Sequence, residues 1–353
     1  MAERIPKTTS QWNVVGTNGL SSLKLSEQPV PELGDNQVLV KLQGASLNFR
    51  DIVVSEGQYP FGFRDGVVPG SDGAGTVLAV GKHVTRFVPG DKVVTMLQQA
   101  HIAGSPTAAT TSRQLGATTD GTFRTIGAFD EQGLVKMPEG LSFTEAATLS
   151  CAGLTAWNAL FGGGRPLTAG QWLLTEGTGG VSLFAVQFAK AVGARVISTT
   201  SSADKAEVLR KLGADHVVNY HETPNWGEEA KRLTGGIGVD LVVDVTGPSG
   251  LEQSVKSLRL DGVVVVAGAI AGFEKNPNVP TILDTWLSLY TSRGIWVGNR
   301  LQMEDMCRAI EGNTERLRPI LDSKVFNLET LKEAYEYMKD GKYYLGKICV
   351  EIP

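Results

Sequence analysis

The stretch from Trp172, "WLLTEGTGGVSLFAVQFAKAVGARVISTT", constrains the fold more than any other part of the chain. A short apolar run leads into a cluster of glycines, an apolar helical pattern follows, and a second, β-branched run closes the unit. Periodicity that switches from extended to helical and back describes a strand, a crossover helix and a parallel strand. The pattern then repeats: "SADKAEVLRKLG", "HVVNY", "LVVDVTG", "LEQSVKSL" and "GVVVVAGAI" alternate helix-like and strand-like segments. Strands this continuously apolar belong to a parallel sheet covered on both faces.

The rest of the chain reads differently. "NQVLVKLQGASL" alternates apolar with polar residues, and "PGSDGAGTVLAVGKHVTRFVPGDKVV" sets short strands between glycines and prolines, the texture of a small twisted barrel. Residues 96–120 are small, polar and aperiodic and read as a surface loop. Ser142 with Glu145 forms a capping box ahead of an apolar helix. The expected fold is therefore α/β: a discontinuous β-domain, 1–139 and 298–353, interrupted by an α/β domain over 140–297. At 353 residues both have ample chain for a core.

Composition excludes several classes. A net charge of −4 gives no footprint for nucleic acid, and no apolar run approaches the ~20 residues of a membrane span. The opening "MAERIPKTTSQW" has no apolar signal core, and three scattered cysteines form no disulfide framework, so a reducing, cytoplasmic setting is expected.

Chemically, the glycine turn suits a dinucleotide. Gly177, Gly179 and Gly180 let backbone N–H groups and a helix N-terminus approach a pyrophosphate, although Ser182 stands where the usual fingerprint has its third glycine. The second strand ends in "STTSSADK", without the acid that binds a ribose 2′-hydroxyl in NAD sites. Ser201, Ser202 and Lys205 suit a 2′-phosphate instead, which favours NADPH over NADH; Ser202 also reads as a helix N-cap.

These segments, with "NFRDIVVSEGQYP", "DGTF", "GADHVVNY" and "LGKICV" in order along nearly the whole chain, resemble the medium-chain dehydrogenase/reductase superfamily. Within it the chain is similar to the zinc-independent quinone oxidoreductase, zeta-crystallin and enoyl reductase branch. The resemblance implies a GroES-like barrel closing on a Rossmann domain, with the active site in the cleft, and a homodimer. It implies that Asn48 lies near nicotinamide and substrate, Thr155 near the carboxamide, and Gly179, Gly180 and Val181 under the pyrophosphate. Ser201, Ser202, Lys205 and Tyr220 then surround the adenosine end, while Ala267, Gly268, Ala269, Val297, Gly298, Asn299 and Lys347 complete the cofactor slot. Zinc-dependent relatives need three ligands; here Asn48 stands for the first cysteine, Ser71 and Asp72 replace a His-Glu pair, and only Cys151 remains, so no metal is expected. His83, His101, His216 and His221 show no metal-like spacing and read as surface residues.

Without a Lewis acid, an activated C=C is the less demanding acceptor, since hydride addition there needs only a donor at the resulting enolate oxygen and a proton at carbon. Asn48 is the first candidate donor. Some relatives carry a tyrosine five positions on, where this chain has Val53, which leaves that role to Tyr59 or to water. The expected activity is NADPH-dependent reduction of an enone, quinone or enoyl thioester. Metal-free alcohol or carbonyl chemistry, and an NADPH-binding sensor or structural protein with vestigial turnover, are the rivals. In 270–297, Phe273 and Trp286 read as pocket residues and 290–298 as a subunit interface.

Overall fold

The computed structural model describes residues 5–272, 278–341 and 345–353. The chain packs as two units, Met1–Leu154 with Asn299–Pro353, and Thr155–Gly298. The segment from Ser142 to Leu154 therefore packs with the first unit. Its contact with strand 37–46 depends on one glycine: a Cβ on Gly44 would stand 2.5 Å from the Phe143 backbone. The change of period at Ser142 marks a change of secondary structure within this unit.

Strands are numbered in chain order. The first unit opens with β1 (Thr8–Val14), β2 (Leu23–Pro29), β3 (Gln37–Ser46), β4 (Asp72–Val80), β5 (Lys92–Thr95), β6 (Ile126–Asp130) and β7 (Leu134–Lys136). The second holds β8 (Trp172–Glu176), β9 (Arg195–Thr200), β10 (His216–Asn219), β11 (Val239–Asp244), β12 (Leu258–Val266) and β13 (Thr291–Gly294). β14 (Leu321–Asn327) and β15 (Lys347–Glu351) return to the first.

In the first unit the strand order is β14-β15-β3-β4-β5-β7, with β6 also on β3. Every pairing is antiparallel except β14 with β15. Val38, Val40, Leu42, Phe123, Phe129 and Tyr335 anchor the core. Two registers matter later. Ser46 lies opposite Asp72 on β4, and opposite Cys349 on β15. Continued by two residues, the second register brings Lys347 level with Asn48, just beyond the end of β3.

Among the described residues, the second unit is a six-stranded parallel sheet in the order β10-β9-β8-β11-β12-β13. Leu174, Ile197, Val242 and Val264 form its core, and Val242 and Val243 are fully buried, as a doubly covered sheet requires. The order reverses direction between β8 and β11, the topological switch point at which open α/β sheets bind ligands. This is the expected α/β pairing of a barrel-like sheet with a Rossmann sheet.

Two expectations are corrected here. Residues 96–120 are not wholly a surface loop: Met96–Gln99 and Gln114–Ala117 are buried. Backbone bonds from Leu115 to Leu97 and from Gln99 to Arg113 tie the two legs together, so only the tip is solvated. His101 is likewise buried, with Nε2 against the Gly104 carbonyl at 3.0 Å. His216 is half-buried and stacks on Trp172, while His83 and His221 are exposed. No helix among the described residues is long and apolar enough to cross a membrane.

Candidate functional site

In the second unit the site begins where β8 ends. Gly177 takes φ +72°, a conformation that favours glycine, and Gly179 caps the helix Gly180–Ala191 from an extended conformation with no side-chain cap. The first N–H groups of this 12-residue helix thus lack a side-chain acceptor at the cap, the polarity an anion needs. A Cβ placed on Gly177 or on Gly179 would meet nothing within 4 Å among the described residues beyond its chain neighbours, so open space lies above the turn. Ser182, in place of the third glycine, is buried and donates its hydroxyl to the Glu176 carbonyl at 2.6 Å. The serine thus ties the helix to the strand instead of crowding it.

At the end of β9, Ser202 is indeed the N-cap of helix Ala203–Lys211, accepting from the Lys205 backbone. Ser201 and Lys205 are half-buried beside it. Thr200 is buried, and its hydroxyl has no hydrogen-bond partner among the described residues. The parallel register sets Thr200 beside Asn219, and Tyr220 donates its backbone N–H to the Thr200 carbonyl. The four adenosine-end candidates therefore converge on one sheet end, and Thr200 joins them as a residue missed in the sequence.

Ala267, Gly268 and Ala269 follow β12. Ala267 donates to the Asp244 carbonyl, and a Cβ on Gly247 would come 2.7 Å from that of Ala269, so the loops after β11 and β12 pack tightly together. Val297 sits at φ +57°, unfavourable for a β-branched residue. Asn158 Nδ2 holds the Val297 carbonyl at 2.6 Å. Thr155 is buried in the same unit. Asn299 belongs to the first unit, where it caps helix Arg300–Gly312 with Gln302. Trp286 is 73% exposed, as are its neighbours Ile282, Leu283 and Leu287 in large part, so among the described residues of its unit it stands on an open apolar surface and not in a buried pocket. Phe273 lies outside the described residues.

Beneath the glycine turn is a feature that sequence reading missed. Glu176 accepts from the backbone of Val245 and Thr246 at 3.1 and 3.2 Å, and Ser254 Oγ lies 2.8 Å from it and 2.9 Å from Asp244. Both acids are buried. Burial first, and then the Asp244 charge, hold the Glu176 carboxyl above its ordinary range; burial also raises Asp244. A folded-state pKa above the unfolded value contributes stability at low pH that is lost as pH rises through the folded value. Glu176→Gln, which keeps an acceptor for the two backbone N–H groups without a second charge, should flatten that decline. Melting temperatures measured from acidic to alkaline pH check this; parallel wild-type and variant profiles would refute a retained proton.

In the first unit the register of β3, β4 and β15 assembles a closed polar cluster. Lys347, buried at 3% exposure, spends its three donors on the Leu47 carbonyl (2.6 Å), Asn48 Oδ1 (2.7 Å) and Asp72 Oδ2 (3.1 Å). Asp72 also accepts from Ser46 (2.7 Å) and Ser71 (3.0 Å). Asn48 Nδ2 lies 3.4 Å from Ser71 Oγ, and Asn48 forms a capping box with Asp51. Burial works against the Lys347 ammonium, but Asp72 foremost, with Cys151 and Cys349 beside it, offsets this and the group titrates above its usual value. Burial pushes Asp51 up to about 6 against the pull of Arg50.

Tyr59 is not part of this cluster. Its hydroxyl donates to Gln114 Oε1 at 3.0 Å and accepts from Arg50 Nε at 3.4 Å, with the guanidinium 4.9 Å from the ring centroid. Arg50 in turn faces Asp51 at 3.5 Å, so Tyr59 reaches Asn48 only through two intervening side chains.

Comparison with known proteins agrees with both halves. The alcohol dehydrogenase GroES-like domain family matches residues 34–139, and the zinc-binding dehydrogenase family matches residues 180–312. A zinc-type alcohol dehydrogenase-like protein of Schizosaccharomyces pombe is 42% identical over 95% of this chain and 96% of its own length. An alcohol dehydrogenase of Rhizobium meliloti is 32% identical over 94% and 95%. A crystal structure of a putative alcohol dehydrogenase from Sinorhizobium meliloti has a TM-score of 0.89 at 37% identity, covering 99% of this chain and all of that one. The chain belongs to the medium-chain dehydrogenase/reductase superfamily, an alcohol dehydrogenase-like group of oxidoreductases that bind pyridine nucleotides.

The family description includes zinc, and the residues here do not fit it. The Asn48 amide oxygen is taken by a lysine ammonium, and Ser71 offers a hydroxyl already bound to Asp72. Burial pushes the Cys151 thiol up to about 12, far from the thiolate that zinc requires. A buried cation next to Asn48 would moreover repel a second one.

Proposed function

We propose that this chain is a zinc-independent, NADPH-dependent reductase that transfers hydride to an activated C=C conjugated to a carbonyl, in an enone, a quinone or an enoyl thioester. The observation that carries the reading is the Lys347–Asn48–Asp72 cluster, in which a lysine ammonium occupies the oxygen of Asn48, the residue that by the family resemblance stands for the first zinc-binding cysteine of metal-dependent relatives.

The open turn at Gly177 and Gly179 and the helix start at Gly180 and Val181 would hold the pyrophosphate. Thr200, Ser201, Ser202 and Lys205, with no acid at the end of β9, would receive the 2′-phosphate. Bound there, the nicotinamide supplies hydride. Asn48 supplies an N–H donor to the substrate oxygen on which negative charge develops, a contact made strongest in the transition state. The added proton at carbon comes from solvent, as Tyr59 is committed to Gln114 and Arg50. A homodimer is part of the same reading, with the apolar surface around Trp286 next to the edge strand β13 as its interface.

The names of the relatives favour a second reading, hydride exchange at a carbonyl or alcohol carbon. NADPH deuterated at the transferable C4 position, reacted with an α,β-unsaturated aldehyde, separates the two by NMR of the product. Deuterium is expected at the β-carbon. Label at the carbonyl carbon would overturn the proposal in favour of carbonyl reduction. Tight NADPH binding without transfer to any enone, quinone or enoyl thioester would overturn it in favour of a binding protein.

A further inference from the structure

An asparagine amide has nearly the same shape whichever way round it lies, so a site that uses it as a donor must specify its orientation. Only a neighbour that is donor-only or acceptor-only can do so. Lys347 is donor-only. Its ammonium meets Asn48 Oδ1 at 2.7 Å, which turns Nδ2 toward Ser71 Oγ at 3.4 Å. Ser71 commits its own proton to Asp72 Oδ1 at 3.0 Å, so it faces Asn48 as an acceptor. Both ends of the amide are therefore read in the same sense.

The lock itself is rigid. Lys347 and Asp72 are both buried, and the Leu47 carbonyl and Asn48 Oδ1 occupy the other two ammonium protons. Asp72 is fixed by Ser46 and Ser71, and the Asn48 backbone N–H is held by Asp51 Oδ2 at 2.8 Å. With Ser71 long at 3.4 Å, Asn48 Nδ2 keeps donor capacity for a ligand oxygen. A cation on Oδ1 also draws electron density from the amide and strengthens its N–H groups as donors, because hydrogen bonds in a chain polarise one another.

We propose that Lys347 is a positioning residue for the reaction: it orients and polarises the Asn48 amide so that the NH₂ group, not the carbonyl oxygen, meets the substrate. Lys347 itself touches neither substrate nor cofactor. The inference rests on the proposed role of Asn48 as donor, and it differs from the cofactor-slot position that the family resemblance implies for Lys347.

The test combines three readouts on the full-length protein. Lys347→Gln removes the charge and lets the amide at Asn48 pair either way round; Lys347→Arg keeps a donor-only cation and controls for folding. In Lys347→Gln, kcat on the enone should fall about tenfold to a hundredfold, less than the ~10²–10³ lost with an oxyanion donor itself. The NADPH dissociation constant should stay unchanged, and Lys347→Arg should recover much of kcat. In an Asn48→Ala background, Lys347→Gln should cost little further, since there is no amide left to orient. Asparagine-selective ¹⁵N labelling reads the lock without turnover: the Asn48 NH₂ pair, assigned by its loss in Asn48→Ala, should shift upfield in proton when the ammonium is removed. An unshifted pair overturns the proposal whether or not any enone is reduced. A raised NADPH dissociation constant in Lys347→Gln, the same in both backgrounds, assigns Lys347 to the cofactor and also overturns it. If the pair shifts but no acceptor is turned over, the lock stands and the reductase reading fails.

Discussion

Gly179→Val is expected to abolish dinucleotide binding in a protein that still folds. Gly179 lies at φ −74° and ψ 170°, extended backbone that a β-branched residue adopts without strain. Apart from its chain neighbours, no atom of the described residues lies within 4 Å of the Cβ it would gain. Nothing in the folded chain therefore requires glycine there, and the cost in stability is that of a poor N-cap, about 1 kcal/mol or less. A ligand requires it, because a pyrophosphate seated on the N–H groups at the start of the helix must approach the backbone where the isopropyl group would stand. Isothermal titration with NADPH should show affinity reduced at least ~100-fold, about 2.8 kcal/mol. The melting temperature without cofactor should move by no more than a few degrees. Gly177→Val is the contrasting case: φ +72° makes it costly to the fold before any ligand is considered. If Gly179→Val binds NADPH like the wild type, the cofactor does not lie over this turn.

Much of the second unit was legible because its signals are local. The β8 turn, the helix after it and the β-branched strands are written in contiguous residues, and in the first unit the equally local Ser142–Glu145 capping box holds in the structure. Ser182 looked like a flaw in the fingerprint because a fingerprint records size, whereas the hydroxyl finds its acceptor six residues back at Glu176. What stayed hidden depends on sequence-distant partners. Glu176 and Asp244 are each unremarkable at a strand end, and only the β8–β11 pairing makes them a buried acid pair. Residues 96–120 and His101 were misread because their composition is polar, yet two legs bonded across the segment bury its ends. For Lys347 there was a usable signal: a lysine flanked by "LG" and "ICV", like an aspartate within "GSDGAGTV", is a charge set in an apolar strand, and such charges are paired.

That pairing leads to the largest stability effect expected for a single substitution. Asp72→Asn should destabilise the first unit by roughly 3–5 kcal/mol near neutral pH, the usual cost of leaving one partner of a buried ion pair uncompensated. The amide is isosteric and its oxygen can still accept from Lys347 and Ser46, so the loss is electrostatic: the ammonium would stay buried without a counter-charge. The sign of the pH dependence follows. In the wild type Asp72 raises the Lys347 pKa, so the pair's contribution is complete below the ordinary lysine range and is lost as pH rises through the raised folded value. In the variant burial acts on Lys347 without its counter-charge and should lower its pKa, so the deficit should shrink as pH rises and the amine sheds its proton. Denaturant melts at neutral and alkaline pH measure this, and a deficit independent of pH would mean that the pair does not carry the stability. Asp72→Leu combined with Lys347→Met separates stability from function. Replacing both charges with apolar groups is often neutral, so the double variant should regain most of the stability. It should not regain activity, because Asn48 would then have no cation to orient it.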